Sequence, residues 1–324
     1  MKSFFVKKIK IIFFLQIFVW ICVGFLLPQS DLGNFKKNES KTIIVENIFP
    51  SSFIGTKPNV IQDSTHCLNS FFEKLSMLGN SADTVQNVVR IVQIGDSHIR
   101  SHEFTPAMNA RLIENFGNAA ANCFSGYKSE GILEENGSSG VICHCIGING
   151  ATSENFLNVQ YLNAIQQLKP DLIIVSLGTN EAFGKYYSFT NHNQMMEILF
   201  SALKNFCPDV PVLYTTPPGA YKTTYRTFRK YKRTYSTVAS VKENENIKRS
   251  AFAIKQFAAT HNQACWDMFN IVGGERYACR NWLNSDYFRK DKVHFTAAGY
   301  AFQGNLLYQA LMKAYNDYIL SKNE

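Results

Sequence analysis

The sequence has no internal repeat, so no array of small stacked units is expected. It has no basic docking face either. The formal net charge is +8, but Lys2, Lys7, Lys8 and Lys10 carry four positive charges, and the window 219–250 sets nine Lys and Arg against Glu243 and Glu245. The rest of the chain is therefore acidic by three charges. A nucleic-acid binder spreads its cations over the surface that meets phosphate, and this confinement argues against nucleic acid as a partner. A paired cysteine framework is missing as well. Of eight cysteines, Cys22 falls in an apolar run, and the seven left cannot all pair within one chain. No Ala-x-Ala-like cleavage site follows that run. Cys22 is preceded by Trp20-Ile21, not by the small residues that precede a lipidated cysteine. A disordered composition is also absent, because 46% apolar residues with 14% aromatics can fill a sizeable core.

What is present begins with Ile11–Leu27, apolar except for Gln16 and preceded by the four lysines. At 1.5 Å rise per residue this run reaches about 26 Å, slightly short of the roughly 30 Å hydrocarbon core. Residues 1–27 are expected to be a secretory signal or, preferably, a membrane anchor with the lysines on the cytoplasmic side. Either would export the body of the protein to the periplasm or the cell surface. Residues 28–82, with Pro50-Ser-Ser and Gly55-Thr-Lys-Pro58, read as a polar linker and edge segment that spaces the domain from the membrane. A short helix fits Cys67–Leu78 within it, and residues 83–324 read as the domain.

From Val88 the pattern alternates strand and helix. Strands are expected at Val88–Ile94, Val141–Ile146, Leu172–Leu177, Val212–Thr215 and Ala264–Met268. Helices are expected around Phe104–Phe116, up to about Leu168, at Gln194–Phe206, near Ile247–Thr260 and over roughly Thr296–Ile319. Ala119–Ser139 reads as loop. Five strands alternating with helices predict an α/β fold with one parallel sheet and helices on both faces.

Such sheets bind ligands beyond the carboxyl ends of their strands. Three polar clusters fall there: Gly95-Asp96-Ser97, Gly147–Thr152 and Gly178-Thr179-Asn180-Glu181. A fourth, Asp291-Lys-Val-His294, lies just before the last helix. An aspartate three residues before a histidine on a turn lets the carboxylate hold one imidazole nitrogen while the other takes a proton from a serine hydroxyl. The Ser97 N–H, the Gly150 N–H and the Asn180 side chain would supply three donors to an oxyanion. These four blocks, in this order, resemble the SGNH (GDSL-type) hydrolases from about Val88 to Tyr318. The resemblance implies a flavodoxin-like three-layer α/β/α fold with a five-stranded parallel sheet, and acyl-ester hydrolysis. It matches Ser97 to the nucleophile, His294 to the base, Asp291 to its orienter, and Gly150 and Asn180 to oxyanion donors. Thr216-Pro-Pro-Gly219 and Trp266-Asp-Met-Phe269 look similar to exported bacterial members that act on carbohydrate esters.

The remaining polar residues have plainer readings. His98, where the family name expects leucine, either packs in the first helical turn or lines the acyl pocket, and is neutral in both cases. Asp96 reads as a helix cap, Glu181 as a helix-start carboxylate and Asp267 as a structural hydrogen-bonding group. Cys143 and Cys145 flank His144 on a strand, where alternation sends the imidazole to the opposite face, so buried thiols are expected and not a metal site. Tyr221–Tyr235 mixes tyrosines with Lys222, Arg226, Arg229, Lys230, Lys232 and Arg233. It reads as a loop, with Tyr221, Arg226 and Arg229 as candidate substrate contacts at the lip of the cleft.

The expectation is an exported serine esterase that removes acyl groups, above all acetyl, from a cell-envelope or other carbohydrate, without metal or organic cofactor. An O-acyltransferase working through the same acyl-enzyme is the alternative, followed by a glycan-binding scaffold without catalysis. No pattern in the residues sets the oligomeric state.

Overall fold

The structure, a computed structural model, describes residues 42–78, 87–121, 131–229 and 235–322. In chain order it holds α1 (Asn69–Met77), β1 (Val88–Gly95), α2 (Ser97–Arg100), α3 (Phe104–Phe116), β2 (Gly140–Gly147), α4 (Val159–Gln167) and β3 (Leu172–Ser176). There follow α5 (Thr179–Phe183), α6 (Phe189–Phe206), β4 (Val212–Thr215), β5 (Tyr221–Arg229), β6 (Tyr235–Glu243) and α7 (Glu245–Thr260). The last are β7 (Ala264–Trp266), α8 (Met268–Ile271), α9 (Gly274–Asn284) and α10 (Ala297–Ser321).

Runs rich in Val and Ile form strands here because helices cover both faces of the sheet. Five parallel strands lie in the order β2-β1-β3-β4-β7. Ile91, Leu172 and Leu213 face a core completed by Met108 and Leu112 of α3 and by Leu307 and Leu311 of α10. Their neighbours Val92, Ile173 and Val212 face the opposite core, with Ile165 of α4, Leu199 of α6 and Phe257 of α7. This is the three-layer α/β/α arrangement expected. The fifth strand is shorter than expected, since Asp267 turns the chain into α8 by accepting from the Asn270 N–H.

The segment expected as a linker is tied down where it is described. Asn59 is buried, accepts from the Trp266 indole N–H at 2.9 Å and donates to the Leu306 carbonyl at 2.8 Å. Gln62 and Cys265 exchange backbone hydrogen bonds of 2.8 and 2.9 Å along the outer side of β7. On the opposite border, Asn118 bridges to Val141 of β2. Asn316 of α10 holds both the N–H and the carbonyl of Ile43. Residues 42–78 are thus a strap on the domain; up to His66, polar side chains bonded to backbone make it look like a linker in sequence, and beyond it α1 is the expected edge helix, burying Phe71, Phe72 and Leu75.

The basic segment also differs from expectation. Tyr221–Arg229 and Tyr235–Glu243 form an antiparallel hairpin, separate from the main sheet and in unbroken register. Neither face is buried, so no apolar alternation marked it as strand. Alternation places Arg226 and Arg229 on opposite faces, and they cannot hold one ligand group together. Lys222, Arg226 and Lys242 share one face; Tyr221, Tyr225 and Arg229 share the other with Glu243. The expected membrane segment, part of the Ala119–Ser139 loop and Lys230–Arg233 lie outside the described residues. Among the described residues no helix is long and apolar enough to cross a membrane.

Replacing Asn59 by Ala strands the buried Trp266 N–H and should cost about 1–3 kcal/mol of stability, read from denaturant unfolding of variant and wild type.

Candidate active site

Three turns meet at the carboxyl edge of the sheet because β1 is flanked in register by β2 and β3. Gly95 lies opposite Gly147 on one side and Ser176 on the other. A Cβ on Gly147 would sit 2.3 Å from the Arg100 backbone nitrogen, so only glycine lets the end of β2 approach the helix that starts at Ser97. Below this edge the buried Gln93 accepts from the Thr105 hydroxyl at 2.7 Å and donates to Ser176 Oγ at 2.9 Å; Thr215 Oγ1 donates to the same Ser176 oxygen at 2.9 Å. This satisfied polar rank holds β1, β3 and β4 level. A glutamine inside an apolar run was its only sequence trace.

Asp96 caps α2 through the His98 N–H at 2.9 Å and leaves Ser97 at the first helical position. Ser97 Oγ lies 2.9 Å from His294 Nε2, and His294 Nδ1 lies 2.8 Å from Asp291 Oδ2. The carrier of His294 is a tight loop. Lys292 takes φ +55°, and Asp291 Oδ1 accepts from the Val293 and His294 N–H groups at 2.9 Å each. A bridge between Phe288 and Phe295 closes the loop, and their stacked rings rest on Trp282. Partial burial alone would raise the Asp291 pKa, but those two N–H donors and the imidazole outweigh it and hold the carboxyl below its usual range. The His294 and Asp291 side chains remain 35% and 48% exposed, so the pair opens directly to solvent.

The expected oxyanion donors divide into two kinds. The N–H groups of Ser97 and Gly150 make no hydrogen bond among the described residues. Gly150 has φ +74° and open space where a Cβ would stand, so its glycine serves the left-handed backbone at an exposed turn. Asn180 sits beside them, but its amide nitrogen already donates to the Ala151 carbonyl at 2.9 Å and to Asp96 Oδ2 at 3.2 Å. Glu181 braces the same junction, accepting from the Gly178 N–H and from the N–H and hydroxyl of Ser153; burial pushes its carboxyl pKa up.

His98 does not line the cleft. It turns inward, with its ring 5.6 Å from that of His294 and Nδ1 3.1 Å from the Tyr300 hydroxyl. Burial pushes its pKa down to about 3, which keeps it neutral. Burial also pushes the Asp96 carboxyl up to about 7, against the His98 N–H and the nearby His294. Of the hairpin residues, Tyr221 reaches the site: its N–H donates to the Lys292 carbonyl, and its ring lies against Phe288. Arg226 and Arg229 lie farther along the exposed ribbon. Cys143 and Cys145 are buried, and His144, on the other face, accepts from the Leu133 N–H. Among the described residues no three His, Cys, Asp or Glu side chains gather as a metal-ligand set. A cavity of about 530 Å³ bounded by Phe189, Arg249, Phe252 and Phe269 shares no lining residue with Ser97, His294 or Asp291.

The arrangement can move a proton from the Ser97 hydroxyl to an imidazole backed by a carboxylate, and can offer N–H groups to a new negative charge. The profile of the GDSL-like lipase/acylhydrolase family matches residues 96–302. No curated protein matches the sequence. A solved structure of a peptidoglycan O-acetylesterase aligns over 79% of this chain and 99% of its own length, at 18% identity and a TM-score of 0.64, a likeness of fold. A lipase/acylhydrolase from Enterococcus faecalis aligns over 69% of this chain and 96% of its own length, and a GDSL-like lipase from Bacteroides thetaiotaomicron over 76% and 99%. Both are 18% identical, with TM-scores of 0.45 and 0.43.

Asp96 and His98 act oppositely on stability. Asp96, unfolded near 3.8 and folded near 7, holds a proton only in the folded state between those values, so its contribution is lost as pH rises through that window. His98, unfolded near 6.5 and folded near 3, does the reverse, and its contribution is lost as pH falls through that window. Thermal melts from pH 4 to 7 should therefore show Asp96→Asn gaining stability relative to wild type as pH rises, and His98→Gln losing it.

Proposed function

The chain belongs to the GDSL-like lipase/acylhydrolase family and is a serine ester hydrolase; on that premise we propose that Ser97, His294 and Asp291 carry the reaction on an acetylated cell-envelope carbohydrate. The observation that carries the assignment of roles is the continuous hydrogen-bonded line from Asp291 through His294 to Ser97, with steps of 2.8 and 2.9 Å. Ser97 Oγ attacks the ester carbonyl as His294 Nε2 takes its proton, and Asp291 stabilises the imidazolium. The oxyanion is received by the Ser97 and Gly150 N–H groups. Asn180 joins by a shift of its whole amide group that gives up the longer bond, the one to Asp96, in favour of the new charge. His294 then protonates the leaving sugar oxygen, and water resolves the acyl-enzyme.

Exposure supports this substrate class. With half of the Asp291 side chain open to solvent, an ester projecting from a bulky polymer can reach Ser97 without entering a tunnel. The same openness admits water and favours hydrolysis over transfer to a second sugar. A fold shared with a peptidoglycan O-acetylesterase agrees with a wall glycan as the substrate. The apolar run at Ile11–Leu27 fits export and anchoring beside such a glycan.

Acetate release from O-acetylated peptidoglycan fragments tests the assignment. Ser97→Ala should lower turnover by about 10⁴-fold or more with an unchanged melting temperature, and should abolish labelling by a fluorophosphonate. Asn180→Ala should cost about 10²–10³-fold in turnover. Full activity in the Ser97 variant would refute the proposal.

A further inference from the structure

The hairpin β5–β6 has no part in the ester chemistry. Its two strands pair without a break from Tyr221 opposite Glu243 to Arg229 opposite Tyr235, yet most of their side chains are exposed. A two-stranded ribbon that buries neither face is marginal in water, so the domain gains little stability from it. The cationic face is costlier still. Lys222 and Lys242 stand directly opposite each other, and like charges in a cross-strand pair are destabilising. Arg226 continues the same face, which carries no carboxylate, since Glu243 points to the other side. No ion pair forms at Lys222, Arg226 or Lys242 among the described residues. Such an arrangement becomes favourable when an anion lies between the cations.

The rest of that face suits a sugar chain. Thr224 and Ser240 put hydroxyls between the cations, and Phe228, 53% exposed, offers a ring face at the far end. From Lys222 to Phe228 the strand extends about 20 Å, room for several sugar rings in a row. The near end abuts the reaction centre on two sides. The Lys222 ammonium lies 5.9 Å from the Phe183 ring, at the end of the helix that carries Asn180. Next to it, the Tyr221 N–H bonds the Lys292 carbonyl inside the Asp291–His294 turn, and the Lys292 ammonium lies 5.3 Å over the Tyr221 ring.

We infer that the Lys222–Arg226–Lys242 face is a binding track for an anionic polysaccharide, a glycan bearing carboxylate or phosphate groups, which lies along the ribbon and feeds its esters to Ser97. Charge complementarity names the anion, the interleaved hydroxyls and exposed ring name the sugar, and contact with both sides of the cleft names the purpose. The feeding role rests on the hydrolase reading; the binding does not.

Binding is therefore measured with a polymer that carries no ester. The full-length chain should bind polygalacturonate and not dextran, and added salt should weaken that binding. The Lys222→Gln/Arg226→Gln/Lys242→Gln variant should bind polygalacturonate at least about 10-fold more weakly, because three of the face's charges are removed. Its turnover of 4-nitrophenyl acetate should stay within about twofold of wild type. Arg226→Gln should weaken binding several-fold, whereas Arg229→Gln, on the opposite face, should change it by less than about twofold. Unchanged binding in the triple variant, equal effects of the two single variants, or a loss seen on phosphatidylglycerol vesicles but not on polygalacturonate would each overturn the track. A chain that binds polygalacturonate in this pattern but hydrolyses no ester would count against the hydrolase reading alone.

Discussion

Everything at the candidate site depends on the level at which three parallel strands stop. Gly95 is in register with Gly147 and with Ser176, so the turns after β1, β2 and β3 leave the sheet at one height. Only then can Asp96 cap the helix of Ser97 while accepting from Asn180, and only then can Asn180 also reach the Ala151 carbonyl. A slip of one residue would turn every side chain of the strand to the opposite face and separate these groups. The buried Gln93–Ser176–Thr215 hydrogen bonds lie directly under that edge and favour a single register.

Two aspartates near the Ser97 hydroxyl have opposite environments. Asp96 is enclosed, and burial pushes its carboxyl toward neutrality. Asp291 lies at the surface under two backbone N–H donors that keep it ionised. The negative charge therefore sits behind His294, where it favours a protonated imidazole, and is discouraged beside Asn180. The neutral His98 serves the same separation, since a second cation under His294 would disfavour its protonation.

The sheet, its longer helices and the meeting of Ser97, His294 and Asp291 were legible in the sequence because each has a short-range mark. Val and Ile runs end at glycine, and Asp291 and His294 are three residues apart. Features without such marks were misread. Asn59 and Asn316 secure the strap 42–78 by bonds to distant backbone, and nothing near them in the chain announces it. The hairpin has no buried face and hence no apolar period, so Arg226 and Arg229 looked like neighbours on one loop. Helix α9 was missed because it is polar and opens at Gly273-Gly274, residues that usually end helices. That both hydrogens of the Asn180 amide are already engaged depends on Ala151 and Asp96, which only the folded chain brings to it.

The five-stranded sheet has both of its borders occupied, by Gln62 alongside β7 and by Asn118 alongside β2. A strand with unpaired N–H and carbonyl groups is a template on which another chain can add itself. A bridge at each border leaves fewer of those groups open to a neighbouring copy, and the strap shields β7 as well as bracing it.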